Sequence, residues 1–118
     1  MKIPNWQEQT ICKREGFTLK LSFLEEDMNS HYYFITECGW SKEDYKTIAA
    51  YYWFTAKVTA YKGVIECGSA YIGGNAYKNL KEVLSDNPEE NGLCGYIPQL
   101  IDEAIEDAHT NLDEQPTI

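Results

Sequence analysis

The segment Tyr52–Ala60 constrains the fold more than any other part of the chain, because it has a period of two. Tyr52, Phe54, Ala56, Val58 and Ala60 fall on one side, and Trp53, Thr55, Lys57 and Thr59 on the other. That period belongs to an extended strand with one buried face. The run Phe17-Thr18-Leu19-Lys20-Leu21-Ser22-Phe23 alternates strictly, so Phe17, Leu19, Leu21 and Phe23 are expected to share the core face of a second strand. A turn centred on Lys62-Gly63 leads into a strand from Val64 to Ile72. Pairing about that turn predicts Ala60 opposite Ile65, Val58 opposite Cys67 and Phe54 opposite Tyr71, all on the inner side.

The remaining elements follow from local signals. His31-Tyr32-Tyr33-Phe34-Ile35-Thr36 is rich in aromatic and β-branched residues and predicts a strand, joined to Phe17–Phe23 as a hairpin across a polar turn at Asp27 to Ser30. Ser41 and Asp44 predict the capped start of a helix from Lys42 to Ala50. Gly73-Gly74-Asn75 is expected to end the preceding strand, with Asn75 capping a helix that carries Tyr77, Leu80, Val83 and Leu84 and stops before Pro88. In the last helix, Ile97 to Leu112, the residues Ile97, Leu100, Ile101, Ala104, Ile105, Ala108 and Leu112 form an apolar stripe, and Pro98 sits in the tolerant first turn. The order ββαββαα predicts an α+β fold, with a four-stranded, mainly antiparallel sheet and helices on one face. At 118 residues, 1 to 118 are expected to form a single domain.

Charge narrows the function. The formal net charge is −9, and from Asp86 to Ile118 there are nine carboxylates and no lysine or arginine. Such a field repels phosphate backbones and attracts basic surfaces, and Arg14 is the only arginine. Direct nucleic-acid binding is therefore not expected. No apolar run resembles a signal peptide or a membrane span, which predicts a cytoplasmic location and no membrane partner. Cys12, Cys38, Cys67 and Cys94 lie 26, 29 and 27 residues apart, which favours reduced thiols.

Catalytic and cofactor signatures are lacking, so no enzyme activity, cofactor or metal is expected. His31 and His109 are the only histidines, and the cysteines are isolated. The Asp86–Gly92 stretch departs from a calcium loop in its glycine position, and its twelfth place is Ile97. Gly73-Gly74 has no phosphate-loop context, and Cys38 with His31 is the one thiol–imidazole pair close in sequence. Aromatic residues are another matter: there are nine tyrosines and three tryptophans. The alternation puts Trp53, Tyr61 and Ile72 on the outer sheet face, either exposed as an interface or covered by a terminus such as the Trp6 region.

Glu43-Asp44-Tyr45-Lys46, Trp53-Phe54 running into Lys57-Val58-Thr59-Ala60-Tyr61, and Gly68-Ser69-Ala70-Tyr71-Ile72-Gly73-Gly74 before an acidic helix make up a pattern over about two thirds of the chain. It resembles small uncharacterised acidic proteins of tailed bacteriophages and prophages, with their Trp-rich strand, turn, Gly-Ser strand and helices. The resemblance carries no functional residue. It implies a contact-acting protein, such as an inhibitor of host defence of the anti-CRISPR or antirestriction type. Charge adds a partner with a basic, nucleic-acid-handling surface, contacted through Asp102, Glu103, Glu106 and Asp107 with Trp53 and Tyr61 as anchors. An immunity protein that neutralises a basic nuclease toxin uses the same chemistry and stays open, as does a homodimer. In a low-salt gel shift the protein is expected to retard neither DNA nor RNA, and submicromolar binding to either would contradict the charge argument.

Overall fold

The computed structural model describes residues 1–85 and 96–113. Four strands, β1 (Gln9–Arg14), β2 (Phe17–Leu24), β3 (Tyr52–Lys62) and β4 (Ile65–Tyr77), form an antiparallel sheet in the order β1-β2-β3-β4. Among the described residues three α-helices accompany it: α1 (Lys42–Ile48), α2 (Leu80–Ser85) and α3 (Ile97–Asp113). The class is α+β and the order is ββαββαα, as expected, although the first pair of strands is made of other residues. Asp86, Glu89, Glu90, Cys94, Glu114 and the helix stop at Pro88 lie outside the described residues.

The first hairpin is not the expected one. β2 pairs with β1 through a turn at Glu15-Gly16 whose residues both have positive φ, 53° and 82°, the mirror-type turn that matches strand twist. The aromatic segment read as a strand is instead a π-helical turn, Tyr32–Glu37. Phe34 is buried there against Trp53 and Trp40, with ring centroids 5.5 and 4.7 Å away. Contacts with rings across the sheet thus override the β-propensity of these residues.

β3 and β4 pair as expected in direction but in another register. The two-residue turn is Gly63-Val64, which sets Lys62 opposite Ile65 and shifts the pairing by two residues from the expected one. Extra residues on β4, at Cys67 and at Gly73-Gly74, then shift it twice more, giving Ala60–Gly68, Val58–Ala70 and Phe54–Asn75. Each such bulge reverses which alternate residues face the core. Tyr71, expected inside, is therefore 54% exposed, and Ile72, expected outside, packs on the core. Nor does β4 end at Gly73. Asn75 is a buried strand residue whose amide donates to the carbonyls of Phe54 and Ile72 at 3.0 and 2.7 Å. The cap of α2 is Asn79, which accepts from the Glu82 N–H at 2.8 Å.

The core lies between the sheet and α3. Leu19, Leu21, Phe54, Val58 and Ala60 meet Ile97, Leu100, Ile101, Ala104, Ile105 and Ala108, with Val83 of α2 alongside. Trp6 closes one end of this layer against Phe23, Tyr52 and Phe54. The stripe on α3 falls where its periodicity put it, and all six residues from Ile97 to Ala108 are buried. The tightest contact is at Gly68. A Cβ there would overlap the backbone N of Ala108 and come within 2.7 Å of the Ala104 carbonyl, so the helix backbone rests directly on the strand.

Two stability measurements test this packing. Gly68→Ala is expected to destabilise by about 1–3 kcal/mol or more, because the methyl meets helix backbone that cannot rotate away. Ile105→Ala is expected to cost about 2–5 kcal/mol, against less than about 0.5 kcal/mol for the neighbouring Glu106→Ala. Chemical denaturation gives both, and equal losses at 105 and 106 would show that the helix face is misassigned.

Candidate functional site

The acidic residues of α3 do not form one uniform surface. Ser41-style local capping plays no part here; the helix is instead tied to the open edge of β4 through its side chains. The Ser69 N–H donates to the Asp107 carboxylate at 3.0 Å, and the Asn111 amide donates to the Cys67 carbonyl at 2.8 Å. These bonds satisfy backbone groups that an edge strand otherwise leaves unpaired. Asp107 is thus a structural residue and not the solvated contact expected from the sequence. At the other flank, Asp102 accepts from Arg14 of β1 at 2.7 Å. Both partners are well exposed, so the pair adds about 0.2–1 kcal/mol at most, but it neutralises one charge of the row. Glu103 accepts from Gln99 one turn earlier at 2.9 Å and remains exposed, as does Glu106. Asp107 braces the helix against the sheet, Asp102 pairs with Arg14 at the surface, and the two glutamates face outward.

The outer face of the sheet is covered, though not by the Trp6 region, which packs on the inner side. Trp53 is only 7% exposed. Its indole N–H donates to the Met28 carbonyl at 2.8 Å, and its ring packs on Tyr33 and Phe34. The chain between β2 and the π-helical turn is pinned there by Glu26. Its carboxylate accepts from the Gly74 N–H at 2.5 Å and from the Met28 N–H at 3.2 Å. Gly74, at φ 74°, holds the left-handed conformation that turns this N–H out of the bulge.

Toward the β3–β4 turn, lysine stems cover the same face. Lys20 lies over the Tyr61 ring and Lys57 over Tyr71, 5.1 and 5.4 Å from the ring centres. Thr59 between them is 1% exposed although it points away from the core. Burial raises the Tyr61 pKa, with Glu8 and Glu66 adding and Lys57 opposing. Burial opposes the charged form of Lys57, but the Tyr71 hydroxyl and Glu66, 3.4 Å away, outweigh it and the pKa is raised. Tyr61 is half-buried under Lys20 and is not an open anchor.

What the sequence did not disclose is an aromatic cleft of about 320 Å³ beside the C-terminal end of β4. Tyr33, Phe34, Trp40, Tyr51, Tyr77 and Tyr96 form its walls, with Ile48 and residues 74–76 completing the lining. The π-helical turn supplies two of these rings, the chain on either side of α1 two more. Tyr96 and Trp40 are 52% and 37% exposed at the mouth. A hydrogen bond with the Cys38 thiol raises the Tyr33 pKa, and the Cys38 charge, burial, Glu37 and Tyr96 act the same way. The one available signal is the density of aromatic residues between 32 and 53, of which His31–Thr36 reads as a strand by its aromatic and β-branched composition.

Other chemistry is sparse among the described residues. Cys12, Cys38 and Cys67 are free thiols. Burial raises the Cys12 pKa against the pull of Arg14, which makes it a poorer nucleophile. His31 packs on the Tyr45 ring at 5.1 Å. No cluster of three or more His, Cys, Asp or Glu residues is placed to hold a metal ion among the described residues. No described helix is long and apolar enough to cross a membrane. No protein-family model matches this chain, and neither a curated protein nor a solved structure matches it significantly.

The division within α3 can be measured. Asp107→Ala is expected to cost about 1–2 kcal/mol, since it removes a charged acceptor from a part-buried N–H, whereas Glu103→Ala should change stability by less than about 0.5 kcal/mol. Hydrogen exchange at the Ser69 amide should accelerate in the first variant alone.

Proposed function

We propose that this protein is a non-catalytic, cytoplasmic binding protein that occupies a basic, nucleic-acid-handling surface of another protein through the exposed side of α3. The observation that carries the reading is the charge of that helix. Its 17 residues hold five carboxylates and neither lysine nor arginine. Glu103 and Glu106 stand on the side away from the buried stripe, on a helix locked to the sheet by Gly68, Ala104 and Ala108. Carboxylates held on a rigid element reproduce phosphate in sign, and their fixed spacing lowers the entropic cost of meeting a basic surface. The form of action, inhibition of a host defence protein, comes from the resemblance to phage proteins and fits a small acidic chain that works by contact.

The test is a charge reversal that spares the structural acids. Glu103→Lys with Glu106→Lys, leaving Asp102 and Asp107 in place, is expected to slow association with the captured partner tenfold or more. The wild-type on-rate should fall steeply as salt is raised. Surface plasmon resonance reads both effects, and circular dichroism checks that the fold is kept. Association unchanged by the reversal and by salt would place the interface away from α3.

A further inference from the structure

We propose that the aromatic cleft beside the end of β4 receives an arginine side chain of the basic protein partner. This inference rests on the reading above only in taking the partner to be basic; the cleft is built from other elements than α3. Among the described residues its ten lining residues include six aromatic side chains and none that is charged. Stacked ring faces carry negative potential and attract cations, most strongly where water is excluded. The molecule already shows the preference on its own surface. Five lysine ammonium groups lie over aromatic rings, and one of them, Lys78, is 5.8 Å from the centre of Tyr51, a wall of the cleft. Glu37, on the same π-helical turn as Tyr33 and Phe34, is exposed nearby, and the net charge of −9 favours a cation approaching from any side.

Arginine is favoured over lysine by the lining. An ammonium is a compact, strongly hydrated charge, and among the described residues no carboxylate lines the cleft to replace its water. A guanidinium is planar and weakly hydrated, and it stacks on flat rings while its edge donors reach hydroxyls and carbonyls. The tyrosines among the lining residues carry hydroxyls of that kind.

The probe is the peptide acetyl-Gly-Arg-Gly-amide, titrated into the full chain with the indole N–H resonances of the three tryptophans followed by NMR. Saturable shifts are expected at Trp40, with Trp6, in the inner layer, unmoved. Replacing arginine by citrulline, which keeps the shape and removes the charge, is expected to weaken binding about tenfold. Tyr33→Leu and Trp40→Leu, which keep apolar volume and remove a ring, should each weaken the arginine peptide about fivefold or more, read in Trp40→Leu from backbone amides of residues 74–77. The double reversal Glu103→Lys with Glu106→Lys should leave the response at Trp40 in place. Equal binding by citrulline or norleucine peptides would overturn the inference in favour of a purely apolar pocket. So would the absence of a saturable shift. If the peptide fails while the α3 reversal still slows association with the partner, the cleft inference falls and the reading of α3 stands.

Discussion

The packing of this protein turns on the contact between the backbone of α3 and Gly68. No side chain separates helix from strand at that point, and a single added carbon would overlap Ala108. The closeness lets Ala104 and Ala108 be fully buried at a position where larger residues would hold the helix off. It also brings Asp107 and Asn111 within hydrogen-bonding reach of Ser69 and Cys67, so the edge of the sheet is capped by the helix that covers its face. The bulge at Cys67 belongs to the same arrangement. It turns Gly68 toward the helix, and the next residues on β4 follow with reversed facing.

A second consequence concerns charge. Because α3 is held so closely, its acidic residues are sorted by geometry. Asp107 is drawn to a strand N–H, Asp102 reaches Arg14 at the other end of the sheet, and Glu103 and Glu106 point outward. A row of four acids that looks equivalent along the helix becomes one brace at Asp107, one surface ion pair at Asp102 and two outward-facing groups. Charge available to a partner is therefore less than the count suggests, and better localised.

On the opposite face, aromatic residues do the covering. Trp53 lies under Tyr33 and Phe34, and the Glu26 carboxylate fixes the crossing chain to the Gly74 bulge. The two rings of the π-helical turn that seal Trp53, Tyr33 and Phe34, also wall the cleft. Sealing the sheet and building the cleft are thus one structural event, and the irregular helix is what allows successive aromatic residues to serve both.

The sequence by itself determined β2, β3, the capped α1 and the buried stripe of α3, because each is set by short-range periodicity or by a cap within one turn. Ser41 accepts the Asp44 N–H at 3.1 Å as its spacing requires, and Ile97 to Ala108 face inward because the helix repeat leaves no other amphipathic arrangement. Only the tertiary structure decided the register of β4, the fate of Tyr32–Glu37 and the division among the α3 acids. Each bulge moves one residue without altering composition, so Tyr71 and Ile72 exchanged faces with no local sign in the chain. An aromatic run of six residues suits a strand until a distant ring, here Trp53, offers it a larger apolar contact than pairing would. Whether a carboxylate is a contact or a brace depends on a backbone N–H 38 residues away, as for Asp107 and Ser69, and that distance is closed only when α3 settles onto Gly68.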